Sequence, residues 1–366
     1  MTYFASCFLV GLLATLFIMR SSMRHSHLSA DHDLSGPQKF HGRPVPRVGG
    51  AGVMVAIVAG VVIAQFSESP AARSLWLLLA CSLPAFAAGI TEDLTKNVSP
   101  RRRLIATAVS AGLAIWLLGA VIGRTDIPGV DQLVRWAPFA VLLTVFVITG
   151  VANAVNIIDG FNGLASMCVL MMMLALSYVA FQVNDTFIFT AALITAGAVL
   201  GFFVWNFPAG LIFLGDGGAY LLGFLLAELS VLLIERNPTV SPIFAQLLCA
   251  YPIFETIFTI YRRKVVRGVA TAEPDGIHLH TLIHRRLIRW TLADNHERRR
   301  LTRRNSMTSP YLWMLCLTSV IPSVLWWHST AVLSWFVLLF VLLYVWLYKR
   351  IVRFKTPRWL IFRRQG

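Results

Sequence analysis

The stretch "NAVNIIDGFNGLASMCVLMMMLALSYVAF", residues 153–181, joins two kinds of sequence. Its second part, from Gly163 to Phe181, carries no charge and is long enough to cross a bilayer as a helix, which takes about 20 residues. Its first part sets three asparagines, Asp159 and Gly160 directly against that apolar run. The apolar part decides the fold, because ten further blocks of the same kind accompany it. The eleven predicted spans are 3–19, 48–66, 74–90, 104–122, 138–152, 163–181, 187–205, 219–234, 240–260, 311–327 and 330–348. Hydrophobic residues make up 57% of the 366 and charged residues only 13%, where a soluble domain carries about a quarter. The expected fold is therefore an all-α, polytopic membrane bundle, and soluble classes are excluded.

Charge orients it. The first span has no basic residue before it and Arg20 after it, the reverse of a secretory signal. This predicts a periplasmic N-terminus and a cytoplasmic C-terminus. The connections 20–47, 91–103 and 261–310 and the tail 349–366 then hold every Lys and Arg except Arg73, Arg124, Arg135 and Arg236, as the positive-inside rule requires. The net charge of +15 thus belongs to one face, where it would attract anionic lipids or substrates; no nucleic-acid module accompanies it. Cys7, Cys81, Cys168, Cys249 and Cys316 fall in five different spans with no CxxC pair, against disulfides and thiolate metal sites. No repeat occurs, and residues 1–366 read as one membrane domain.

Two inside connections, 153–162 and 206–218, contain no Lys or Arg at all and need another explanation. The first is the polar opening stretch; the second, "NFPAGLIFLGDGG", ends in Asp216 and two glycines. With "ITEDLTKNVSPRRR" they place Glu92, Asp93, Asp159 and Asp216 at one face, at the ends of four spans. Each alone reads equally as a helix cap or turn residue. Gathered at one surface, such carboxylates repel unless a cation lies among them, and oxygen ligands suit Mg²⁺ completed by phosphates. In the last inside loop, "AEPDGIHLHTLIHRRL" brings His278, His280 and His284 beside Arg285 and Arg286, a set able to grip a diphosphate. Within the spans, Glu255 is expected to pair with Arg262 or Arg263, and deeper Glu228 to be protonated or hydrogen-bonded.

In chain order, "KFHGRPVPRVGG", "EDLTK", "NAVNIIDGFNGL", "FLGDGG", "YPIFET" and "HLH" resemble the polyprenyl-phosphate N-acetylhexosamine-1-phosphate transferase family. That resemblance covers about Lys39 to Arg286. It implies transfer of a sugar phosphate from a UDP-amino sugar to undecaprenyl phosphate with release of UMP, at the cytoplasmic face of a bacterial inner membrane. It also implies Mg²⁺, with Mn²⁺ as a substitute, and is compatible with a homodimer. By the family's motifs, Asp216 matches the metal ligand, and Phe213 the aromatic that stacks on uracil. Asn156 and Asp159 match its Asn-x-x-Asp site, with Asn153 as companion. Lys96 matches a phosphate-contacting lysine, Asp93 the second acid of a catalytic pair, and His278 and His280 the histidine motif. Lys39, in the first motif, is expected at the substrate. Glu92 departs from the family's first Asp, Asn162 stands where the peptidoglycan member has an Asp near uracil, and "HLH" replaces three histidines. These departures lean toward the O-antigen-initiating members rather than phospho-N-acetylmuramoyl-pentapeptide transferase. A transporter is the alternative of another class, but it would gather its polar groups at the midplane in two related halves.

Overall fold

The computed structural model describes residues 2–24, 45–267, 277–286, 288 and 297–353; Lys39 and the end of the basic tail lie outside them. The described chain is helical: α1 (Thr2–Arg24), α2 (Gly49–Phe66), α3 (Ala72–Thr95), α4 (Pro100–Leu118), short α5 (Val130–Val134), α6 (Ala137–Ile158), α7 (Leu164–Gln182), α8 (Thr186–Asn206) and α9 (Gly215–Arg236). It continues through short α10 (Ile243–Leu248), α11 (Ala250–Tyr261) with a π-helical extension Arg262–Arg267, α12 (Leu279–Arg286), α13 (Glu297–Leu325) and α14 (Thr330–Val352).

Nine of these helices are long and apolar enough to cross a membrane, among the described residues. The other two expected spans take different forms. The one placed at 104–122 is α4, which starts earlier, at Pro100, and so carries Arg101, Arg102 and Arg103 in its first turn. Ser99 caps it, accepting the N–H of Arg102. The span placed at 240–260 is broken into α10 and α11 at Cys249. Pro252 stands in the first turn of α11, where its missing N–H leaves no ladder bond unmade.

The polar connections are also shorter than their composition suggests. Asn153 and Asn156 extend α6 instead of leaving it, and the Asn153 side chain donates back to Thr149 O at 2.8 Å. Only Asp159 to Gly163 separates α6 from α7. Likewise α8 runs to Asn206, and α9 starts at Gly215 with Asp216 in its first turn.

α9 is the axis of the bundle, and every residue of its apolar window is buried. It packs on α2, α3, α4, α6, α7 and α8. Without a hydrophobic driving force between helices in lipid, such packing depends on close contact through small residues. A Cβ on Gly50 of α2 would lie 2.2 Å from the Gly218 nitrogen, and one on Gly89 of α3 would lie 2.5 Å from that of Gly217. Backbone therefore touches backbone on two sides of the first turn of α9. A pair of strand-like hydrogen bonds fixes the approach, Gly49 N–H to Phe213 O at 3.0 Å and Phe213 N–H to Pro46 O at 2.8 Å. Thus "VPRVGG" (45–50) and "FLGDGG" (213–218) lie side by side. Glu228, halfway along α9, is fully buried, and its carboxyl oxygens have no hydrogen-bond partner among the described residues. Of the two expectations for it, the hydrogen-bonded one is not met.

Candidate active site

A cavity of about 350 Å³ opens where α6, α8 and α9 meet α12. Asp159, the C-cap of α6, borders it, and its carboxylate makes no hydrogen bond among the described residues. Burial pushes this carboxyl up to about 7 against the pull of the Arg47 guanidinium. Across the cavity Asp216 is held by two cations: Arg103, in close ion-pair contact, and Arg47, with Nη2 at 3.5 Å. Arg103 also lies over the Tyr220 ring, 5.9 Å from its centroid. The Tyr220 hydroxyl links the asparagines, accepting from Asn156 Nδ2 at 3.4 Å and donating to Asn153 Oδ1 at 3.2 Å. Asn156 faces the cavity, while Asn153 stands behind it.

Of the four expected carboxylates, Asp159 and Asp216 alone line this cavity. Asp93 is buried one layer back, where its two oxygens accept the backbone N–H groups of Asp216 (2.9 Å) and Gly217 (2.8 Å). It caps α9 from another helix and thereby positions Asp216. Glu92 turns the other way and accepts the N–H of Val98 at 2.7 Å, closing the turn between α3 and α4. Lys96 is the exposed C-cap of α3, in the left-handed region at φ 56°. Neither of them lines the cavity, so the expected catalytic pair is split by its place on α3: adjacent side chains on a helix point about 100° apart.

Phe213, Asn162, His278 and His280 also border the cavity. α13 reaches over to hold the Asn162 loop: Asn305 Oδ1 accepts Asn162 N–H at 2.8 Å, and the Ser309 hydroxyl donates to Asn162 O at 2.6 Å. The Asn162 amide donates to Ser306 Oγ and Pro208 O, and its buried Oδ1 has no partner among the described residues. His280 packs edge-on to Phe161, with centroids 5.5 Å apart, and Gly160 leaves room for it, since a Cβ there would lie 3.1 Å from Nε2. Burial, helped by the neighbouring His278, lowers His280 to about 3. At neutral pH it is an uncharged hydrogen-bonding group rather than the expected cationic grip.

Arg47, Arg103, Asn206, Tyr220 and Asn305 were not singled out by sequence. Arg47 and Arg103 were hidden among residues that the positive-inside rule already explained. Glu255 does not pair with Arg262 or Arg263; its partners are on α12 and α14.

Among the described residues no group of three or more His, Cys, Asp and Glu encloses a metal site. What the cavity offers is two lining carboxylates, Asp159 and Asp216, the first without a hydrogen bond among the described residues. That donor set fits Mg²⁺, which takes one or two carboxylates and completes its shell with water and phosphate.

The fold and cavity define a multi-pass membrane protein with an acidic and basic polar site at one end of its bundle. Residues 75–234 match glycosyl transferase family 4. The chain is 28% identical over 278 residues, 75% of each chain, to the probable undecaprenyl-phosphate N-acetylglucosaminyl 1-phosphate transferase of Bacillus subtilis (strain 168). It is also 28% identical over 258 residues to the undecaprenyl-phosphate alpha-N-acetylglucosaminyl 1-phosphate transferase of Thermotoga maritima, covering 70% of this chain and 74% of that one. A phospho-N-acetylmuramoyl-pentapeptide-transferase of Streptococcus thermophilus is 33% identical over a shorter 145 residues, 39% of this chain and 42% of its own.

Proposed function

We propose that this protein transfers an N-acetylhexosamine 1-phosphate group from a UDP-sugar to undecaprenyl phosphate, forming the first lipid-linked intermediate of a cell-surface glycan. The carrying observation is one cavity that combines Asp159 and Asp216 with Arg47, Asn156 and Phe213 at the end of a membrane bundle. In this reaction an oxygen of the lipid phosphate attacks the sugar-bearing phosphorus. The bond from that phosphorus to the bridging oxygen breaks, and UMP leaves with the electron pair. The lipid phosphate is already anionic near neutral pH, so the attack needs no general base.

Phosphoryl transfer depends on positioning and charge neutralisation more than on covalent chemistry. Arg47 brings a fixed cation to the diphosphate, with Arg103 behind Asp216, and Asn156 and His280 add neutral hydrogen-bonding groups. Mg²⁺, held by Asp216 with Asp159, would supply the remaining neutralisation of the phosphate oxygens. Phe213 offers its ring to the uracil, and the free Asn162 Oδ1 is an acceptor nearby. We place the cavity on the cytoplasmic face of a bacterial inner membrane, because the basic connections lie on its side of the chain's charge pattern.

Sealed membrane vesicles test reaction and side together. Inverted vesicles given UDP-N-acetylglucosamine should release UMP and form lipid-linked product; right-side-out vesicles should do so only after permeabilisation. Product from UDP-N-acetylmuramoyl-pentapeptide instead would assign the chain to the peptidoglycan reaction, and no UMP from any UDP-sugar would refute the reading.

Phe213→Ala should weaken nucleotide-sugar binding by about 0.5–1.5 kcal/mol beyond burial, leaving the apparent affinity for the lipid almost unchanged. Calorimetric titration of UDP-sugar into purified protein measures it. Equal affinity for both proteins would make Phe213 a packing residue only.

A further inference from the structure

Glu255 of α11 is fully buried next to the cavity, and the chemistry above gives it no task. Three donors from two other elements converge on its carboxylate. One oxygen accepts the Leu279 N–H at 3.0 Å and faces His278 Nδ1 at 3.2 Å; the other accepts the Tyr344 hydroxyl of α14 at 2.7 Å. The Thr259 hydroxyl lies at the same 3.2 Å from Nδ1 and can donate or accept, whereas the carboxylate only accepts, so the ring nitrogen turned toward it carries the hydrogen. Nε2 is then the nitrogen that His278 has left for the cavity it lines. His278 in turn stacks on His280, with ring centroids 5.0 Å apart and planes 12° off parallel.

The same segment is tied to α14 at two more points. Arg262 donates to Ile277 O and to the Tyr348 hydroxyl, the latter at 2.6 Å. Arg286 donates to Ile351 O at 3.0 Å and to Val352 O, the last carbonyls of α14. The final helix, far outside the matched residues 75–234, is thus bonded along its inner end to the segment that carries the histidines.

We propose that Glu255, braced by Tyr344, is the positioning residue of this site: it fixes the orientation and the Nδ1-protonated form of His278 and so aims the histidine pair into the cavity. This rests on the transfer reaction proposed above only for its kinetic consequence; the state of His278 can be read without it. Glu255→Leu removes the acceptor, Glu255→Gln keeps one acceptor oxygen, and Tyr344→Phe removes only the brace. With full-length protein in nanodiscs, turnover of Glu255→Leu should fall about 10- to 100-fold, as when a partner that orients a site histidine is lost. The KM for UDP-sugar should stay within about threefold, because the loss is in transition-state placement rather than ground-state binding. Glu255→Gln should recover most of the turnover, and Tyr344→Phe should show a smaller loss in the same direction.

The second readout is nitrogen NMR of histidine-labelled protein, with the His278 signal identified by its loss in His278→Gln. Wild type should show His278 protonated at Nδ1, and Glu255→Leu a mixture of ring forms. A folded Glu255→Leu with an unchanged His278 spectrum overturns the proposal; if that variant does not fold, an unchanged spectrum and turnover in Tyr344→Phe does so. A wild-type protein that releases no UMP would refute the transfer reaction, while the spectra would still decide the role of Glu255.

Discussion

Asp216→Asn should yield a folded protein whose UMP release is reduced by about 10²–10³-fold, the scale of losing one preorganised electrostatic group. The amide keeps the shape of the side chain and removes its charge. That charge faces Arg103 and Arg47, and it is the one proposed above as the direct ligand of a divalent cation. Two consequences follow from its loss. Arg103, mostly withdrawn from water, is left without its counter-ion, so the thermal midpoint in detergent should drop. The Mg²⁺ concentration needed for half-maximal rate should rise, and by more than in Asp159→Asn, whose carboxylate makes no ion pair with either arginine. Rate measured against Mg²⁺ for the three proteins separates these effects. Near-normal turnover by well-folded Asp216→Asn would remove Asp216 from the chemistry and leave it a helix-end partner for Arg103.

Asp93→Ala should fail differently, by loosening the first turn of α9. Two buried N–H groups lose their only acceptor, and an unmet buried donor costs about 1–3 kcal/mol. The combined destabilisation should therefore reach about 2–6 kcal/mol if the turn does not rearrange. Turnover should fall with it, because the turn that frays is the one that carries Asp216. Asp93→Asn, which keeps one accepting oxygen, should be intermediate in both respects. Thermal midpoints and hydrogen exchange at residues 216–217 are the measurements. An Asp93→Ala protein as stable as wild type but inactive would show that Asp93 acts on the substrate itself.

The membrane-helical class was plain in the sequence because its signal is long and repeated: uncharged runs near 20 residues cannot easily be anything else. Boundaries were harder wherever polarity and helix continue together. Asn153 and Asn156 read as loop residues, yet the backbone of α6 carries on beneath them, since an asparagine can bond its own helix. The break at Cys249 cannot be read from Pro252, because Pro84, Pro310 and Pro322 stand inside unbroken helices. At the site, Asp159, Asp216 and Asn156 stand out by their positions at the ends of apolar runs, while Phe213 comes only from the resemblance to the transferase family. Asp93 and Glu92 were found too, but one-dimensional spacing could not say that one faces the bundle and the other a turn. Arg103 shows the opposite limit. In a run of three arginines nothing marks the one whose helical phase aims it at Asp216, and that phase is fixed only by how α4 packs.

The central helix has one more implication, concerning biogenesis. The six principal neighbours of α9 all precede it in the chain, so they leave the ribosome before it does. Glu228 and Asp216 would make α9 a poor guest of bare lipid, where an ionised side chain at mid-depth costs about 2.5–3.5 kcal/mol on insertion scales. It need not stay there, because a socket of helices has already been synthesised to receive it. The histidine segment and the last helix follow later. The order of translation is thus the order in which the site is walled and then lined, and a nascent chain has no complete cavity lining until Asn305 of α13 has arrived.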